Sequence, residues 1–235
     1  MARTNLFFAT TFAAAVALAG VAAPAGAASV GFYGTFGGGA AGGNDEGGTS
    51  GSWDWDRDTT HAGGGLTIDT SGGYSPINYR LGLGWEHIEA QGERGEADRA
   101  LQGLVIDNDL TFDVLRGPAS RFWVGPELRL GFLHGSLDDS TPGDRNFYAA
   151  GVGPVLGFDL GLGPGAALSW KFGYLYTWYY TDDDSWDSGD HNDHAEMDEG
   201  HAFVTMALLF RLWEGPHAGQ QGAPPPGVYQ PRGRW

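Results

Sequence analysis

The sequence predicts an all-β fold, a closed antiparallel up-and-down transmembrane β-barrel of about eight strands. Three observations predict it. Apolar and polar side chains alternate with period two through segment after segment. The connections between these segments alternate between long and short. The chain also opens with an export signal, yet no later apolar run reaches the length of a spanning helix.

The export signal occupies residues 1–28. Arg3 supplies the positive start, Leu6 to Leu18 the apolar stretch, and Ala25-Gly26-Ala27 the small-residue cleavage pattern. The longest later candidate, Ala202 to Phe210, is interrupted by Thr205 and is short against the roughly 20 residues a helix needs. A chain in lipid without spanning helices satisfies its backbone by closing a barrel. The absence of cysteine excludes a disulfide scaffold and thiol chemistry. A net charge of −16 argues against a nucleic-acid partner, which needs a basic face. The 41 glycines and 13% aromatics suit close strand packing and interfacial girdles.

The strands are justified in order. Val30 to Phe36 alternates Val30, Phe32 and Phe36 with Tyr33 and Thr35, and Gly63 to Asp69 alternates Leu66 and Ile68 with Thr67 and Asp69. Ile77 to Glu86 sets Ile77, Tyr79, Leu81, Leu83 and Trp85 against Asn78, Arg80, Gly82, Gly84 and Glu86. Gly103 to Val114 sets Leu104, Ile106, Leu110, Phe112 and Val114 against Asp107, Asp109, Thr111 and Asp113, with Asn108 as the exception on the apolar side. Phe122 to Phe132 sets Val124, Leu128 and Leu130 against Gly125, Glu127 and Arg129. Tyr148 to Leu160 sets Val152, Leu156 and Phe158 against Gly151, Gly157 and Asp159. Leu168 to Tyr180 carries an aromatic stripe opposite Ser169, Lys171, Gly173 and Thr177. Phe203 to Leu212 closes the series, with Val204, Met206, Leu208 and Phe210 against Thr205, Ala207 and Arg211.

Ala41–Thr60, Gln91–Arg99, Leu137–Arg145 and Asp182–Gly200 are the long connections expected, and Thr70–Pro76, Arg116–Ser120 and Gly161–Gly165 the short ones. Outer-membrane barrels place short turns on the periplasmic side and longer loops outside. An even strand number puts both chain ends in the periplasm. Residues 214–235, with five prolines, are expected to be a disordered periplasmic tail.

An eight-stranded barrel is only wide enough inside for its own side chains. The inward charges expected to form a lumen network are Arg80, Glu86, Asp107, Asp109, Asp113, Glu127, Arg129, Asp159, Lys171 and Arg211. Such a network stabilises the wall; the alternative is a narrow pore that prefers cations, since acids outnumber bases. Trp85, Trp170, Tyr174, Tyr176, Trp178 and Tyr180 are expected at the lipid interface.

The stretch from Asp182 to Glu199 is acidic and holds no Lys or Arg. Asp182, Asp183, Asp184, Asp187, Asp190, His191, Asp193 and His194 are its candidate metal ligands: oxygens for loosely bound Ca²⁺ or Mg²⁺, histidines for Zn²⁺. The spacing matches no calcium loop, so a solvated surface loop is the first expectation. Asp54, Asp56 and Asp58 form a second acidic string, but Thr59 stands where a calcium loop needs glycine. Trp53 and Trp55 beside it are candidates to touch lipid headgroups or a partner. His134-Gly135-Ser136 places a base and a hydroxyl on one strand face, the minimum for nucleophilic catalysis. Ordinary strand-end residues are the simpler reading, and no catalytic residue is assigned.

The exported start, the alternating strands, the tight turns and the acidic loops together resemble the small OmpA/OmpX-type outer-membrane barrels. Phe122-Trp123-Val124-Gly125-Pro126-Glu127-Leu128 and Gly151-Val152-Gly153-Pro154-Val155-Leu156-Gly157 have the texture of their strands. The resemblance spans Ser29 to Trp213 and includes no diagnostic motif. It implies residence in the outer membrane, insertion by the barrel-assembly machinery, and lipid and lipopolysaccharide as surroundings. It bears on the fold more than on activity; a non-enzymatic structural or surface-interaction role is the leading expectation. Acidic loops would then share divalent cations with lipopolysaccharide phosphates. In that family the last strand ends in an aromatic assembly signal, which Phe210 or Trp213 supplies here before 22 further residues. His134-Gly135-Ser136 is also similar to the His-x-Ser pair of exported lipid A deacylases. It departs from them at Leu137, where asparagine is usual, and at Tyr148 and Ala150, where an acid is expected on the next strand.

Overall fold

The computed structural model describes residues 28–46, 53–71, 75–91, 99–136, 145–163, 165–182 and 194–212. They form eight strands: β1 Ser29–Glu46, β2 Trp53–Asp69, β3 Ile77–Ala90, β4 Arg99–Arg116, β5 Ser120–Ser136, β6 Arg145–Gly161, β7 Ala166–Asp182 and β8 His194–Arg211. Each pairs antiparallel with its neighbour in sequence, and β8 returns to β1, so the sheet closes and no edge remains. The expected signal peptide, apart from Ala28, and the tail 214–235 lie outside the described residues.

The strands run to 14–18 residues, against the roughly 9–11 a tilted strand needs to cross a bilayer. This corrects two expected loops. Ala41–Glu46 and Trp53–Thr60, expected in a long connection, continue the β1–β2 ladder as far as Asp45 opposite Trp53. His194–Gly200 likewise belongs to β8, with His194 opposite Asp182 of β7. Apolar alternation marks only the part of a strand that meets lipid. Beyond the lipid the outward face turns polar or small while inward positions such as Ile88, Leu101 and Phe147 are apolar, so the ladder continues without the apolar-out signal of the wall. Asp54, Asp56 and Asp58 therefore lie on a strand, not in a loop.

The outer face shows where lipid ends. Trp85, Leu104, Phe132 and Tyr148 stand in register across β3 to β6, each facing outward. One step further along the same ladders come His87, Gln102, His134 and Asn146, also outward and exposed. An apolar row followed directly by a polar row is the boundary of a hydrocarbon layer. Below it Phe32, Leu66, Leu83, Val152, Leu156, Phe172 and Met206 continue the exposed apolar band down to Phe112 and Phe210. Asn108 interrupts this band, and it is satisfied in place. Its Oδ1 accepts the Tyr79 hydroxyl at 2.6 Å, and its Nδ2 donates to the Leu128 carbonyl at 3.3 Å.

At the opposite end the turns are tight. Gly117 N donates to Ser120 O at 2.8 Å, and Leu162 N to Ala166 O at 2.9 Å. Gly163 sits at φ 140°, a backbone region open to glycine, which lets β6 reverse into β7 within four residues.

Candidate functional site

Inward positions converge on a lumen filled in layers. Close to the tight turns, Arg80 donates through Nε to Asp69 Oδ2 at 2.8 Å and through an Nη to Ser169 Oγ at 2.9 Å. Ser169 in turn donates to Asp159 at 2.6 Å. Arg121 donates to the other Asp159 oxygen at 3.0 Å and to Thr111 Oγ1 at 2.7 Å, and also binds Asp113. In the middle, Lys171 Nζ reaches Glu127 at 2.7 Å and Asp109 at 3.2 Å. Arg129 reaches Asp107 at 2.7 Å and Glu86 at 2.9 Å. Charges this deep persist because each has an opposite partner with a hydrogen bond, which offsets the desolvation cost.

Aromatic rings fill what the charges leave. The Trp123 indole lies over Gly157 of β6, Phe203 over Gly173 of β7, and Tyr33 over Gly82 and Gly84 of β3. Each ring occupies the space a side chain on the facing strand would have taken. The ring faces also carry cations: the Arg80 guanidinium is 4.8 Å from the Trp123 ring, and Lys171 Nζ is 5.4 Å from the Phe203 ring. Toward the end where β1 meets residue 46, Ile88, Leu101, Val105, Leu133, Phe147, Tyr179 and Met197 form an apolar cluster inside the wall.

Beside that cluster sits a further polar group. His61 Nδ1 is 3.1 Å from Glu86 Oε1, and its Nε2 is 2.6 Å from Glu199 Oε1. Glu199 also accepts the Tyr179 hydroxyl at 2.6 Å and the Thr59 hydroxyl. His201 stacks on His61, ring centroids 4.2 Å apart and 16° from parallel.

Of the charges read from the sequence as inward, Arg80, Glu86, Asp107, Asp109, Glu127, Arg129, Asp159 and Lys171 are buried in these layers. Asp113 is half-buried and joins Arg121 to the rim residue Arg116. Arg211 departs from the reading: it has inward parity but ends β8, and lies exposed at the rim. There it lines a depression of about 440 Å³ with Ser29, Arg116 and Arg121. Trp85, Tyr174, Tyr176 and Trp178 are exposed on the outer face, with Trp170 and Tyr180 half-exposed beside them. Glu199, expected in the acidic loop, is instead a fully buried inward residue.

Of the candidate loop ligands, Asp183, Asp184, Asp187, Asp190, His191 and Asp193 lie outside the described residues, and Asp182 and His194 are placed only as the last pair of the β7–β8 ladder. His134 is exposed, with Nδ1 3.1 Å from Asn146 Oδ1; the side chain of Ser136 lies outside the described residues. Sequence reasoning missed Asp69, Arg121, His61, Glu199 and His201 in the lumen, and Trp123, Tyr33 and Phe203 as its fillers. Parity alone carried the signal: Arg121 and Trp123 share a face with Glu127 and Arg129, and Glu199 and His201 share one with Thr205.

A closed eight-stranded barrel with a polar filled interior, an apolar band outside and an aromatic row at its edge is the architecture of a small outer-membrane β-barrel. No protein-family model matches the chain, and no curated protein matches it. Among solved structures the chain is similar to the outer membrane protein OprG from Pseudomonas aeruginosa. The identity is 13%, over 78% of this chain and 96% of that one, with a TM-score of 0.46. It is also similar to Neisserial surface protein A, at 16% identity over 74% and 95% with a TM-score of 0.32. The outer membrane protease OmpT from Escherichia coli follows, at 9% identity over 79% and 96% with a TM-score of 0.36.

Proposed function

We propose that this barrel is a non-conducting, non-enzymatic outer-membrane protein with a structural or surface-interaction role. One observation carries the reading: among the described residues, paired charges, rings and apolar side chains fill the middle of the lumen. The cavity among Tyr33, Arg80, Asp107, Asp109 and Lys171 holds about 20 Å³, room for roughly one water. An ion would have to part the buried pairs around Arg129 and Lys171 and then the apolar cluster of Leu101, Leu133 and Phe147. What the chain offers its surroundings is therefore its outer surface. That surface comprises the polar row His87, Gln102, His134 and Asn146 above the lipid and the acidic connections beyond it. Lipopolysaccharide fits this surface, with divalent cations shared between loop carboxylates and lipid phosphates.

Single-channel recording of the refolded protein in planar bilayers tests the reading. The expected record is flat at either polarity, and reproducible cation-selective steps would overturn it. In parallel, lipid A from cells expressing the protein should keep its mass; loss of an acyl chain that depends on Ser136 would make the barrel an enzyme.

A further inference from the structure

We propose that His61, Glu199 and His201 form a transition-metal site of the zinc class inside the outer part of the barrel. The three side chains come from β2 and β8, which do not adjoin; β1 lies between them. Their ligand atoms nevertheless all lie within 4.8 Å of one another, and all three residues are buried. Ligand atoms about 2.0–2.2 Å from a zinc ion sit little more than 3 Å apart, so His201 turns inward while the His61 Nε2–Glu199 pair, 2.6 Å apart, opens and gives up the proton between them.

The second observation is His201 itself. It is 1% exposed, and neither ring nitrogen has a hydrogen-bond partner. A buried imidazole with an unmet donor and an unmet acceptor is costly, and such groups in native proteins call for an explanation. Its neighbours show how the gap would be met. His61 is already gripped from both sides, so a proton suffices to explain that residue. A proton on His201 gains no acceptor at hydrogen-bond distance: Glu199 Oε2 is 3.7 Å from its Nδ1. A metal ion between the two rings and Glu199 uses a lone pair of His201 directly.

The surrounding shell is that of a metal site. His61 turns its other nitrogen to Glu86, a carboxylate–histidine arrangement that fixes ring orientation and tautomer. Glu86 is anchored by Arg129 at 2.9 Å. Glu199 is held by Tyr179 and Thr59, which leaves its position set before any ion arrives. Two imidazoles and one carboxylate suit Zn²⁺, with a fourth position for water, and also Ni²⁺ or Cu²⁺. They do not suit Ca²⁺ or Mg²⁺, which take six or more oxygens. Among the buried inward residues seven acids face five Lys and Arg, so added positive charge is electrostatically welcome. The site is independent of the acidic stretch between β7 and β8 and of whether the lumen conducts.

The test uses the untagged full chain, refolded in detergent with Zn²⁺ present and then dialysed against a chelator of known affinity. Elemental analysis should find one zinc per chain, and X-ray absorption should report two nitrogen ligands and a carboxylate. His201→Gln and Glu199→Gln should each release the metal, while Glu86→Gln should weaken retention by about 10–100-fold. His87→Ala, on the outer surface, should change nothing. Heat-modifiable gel migration verifies that each variant has closed its barrel. Wild-type protein that holds no zinc against the chelator overturns the site, whatever the variants do. Equal retention by folded His201→Gln also overturns it, and would move the binding to other residues.

Discussion

Replacing Arg129 with methionine removes the cation that Asp107 and Glu86 share in the middle of the lumen, at 2.7 and 2.9 Å, with Glu127 at 3.6 Å. Methionine keeps much of the length and the apolar stem, so little space opens. What is lost is charge compensation. Removing one member of a buried pair costs about 3–5 kcal/mol because the remaining charge is stranded. Here two carboxylates lose their principal partner, which places the effect toward the upper part of that range. With a urea dependence of about 2 kcal/mol per molar, the unfolding midpoint should fall by roughly 2 M. The assay is equilibrium unfolding in lipid vesicles, followed by tryptophan fluorescence. The triple variant Arg129→Met, Glu86→Gln, Asp107→Asn removes the stranded charges as well. It should recover a large part of the loss, because ion pairs replaced by neutral groups are often tolerated. The reasoning is refuted if Arg129→Met lies within about 1 kcal/mol of wild type, or if the triple variant is no more stable than the single one, the bounds being set by ordinary surface substitutions.

Two further perturbations probe the filling and the lipid boundary. Gly157→Val pushes a branched side chain into the Trp123 indole and should destabilise by about 1–3 kcal/mol; an unchanged midpoint would mean the ring is free to move. Leu156→Arg, in the apolar band, should cost about 2–4 kcal/mol in vesicles, whereas Asn146→Arg on the same strand should cost about 0–1; equal costs would place the lipid boundary elsewhere.

The wall was legible from sequence because lipid enforces it. Every outward residue between Tyr148 and Leu160 on β6 is apolar, and every inward one except Val155 is small or charged, so the period of two is unmistakable. Above the lipid that pressure stops. The outward residues Thr60, Asp58 and His87 are as polar as a loop, while the inward His61 and Ile88 differ from each other in character. The ladder there persists through backbone pairing, which leaves no compositional trace. For the same reason the site was missed: His61 and His201 lie 140 residues apart, each just past the end of a stretch read as a connection and before the strand that follows. Their meeting depends on the register of β1 between them, which carries Gly37, Gly38 and Gly39 at that level.

That glycine run raises the question of what sets the register. A Gly-rich strand offers few side chains to distinguish one pairing from the next, and a slip of one residue moves every inward group to the lipid face. Between β2 and β3, a one-residue slip would separate Asp69 from Arg80 and present a charge to hydrocarbon. For β1 the control comes from outside its own ladders: Tyr33 passes over β2 to rest on Gly82 and Gly84 of β3. Any shift of β1 would drive that ring into a neighbouring side chain or leave the two glycines facing empty space. The buried ion pairs and the ring-over-glycine contacts therefore act in the same direction. Each penalises misregistered closure far more than it stabilises the correct one, and together they specify how a strand with seven glycines among its eighteen residues must dock.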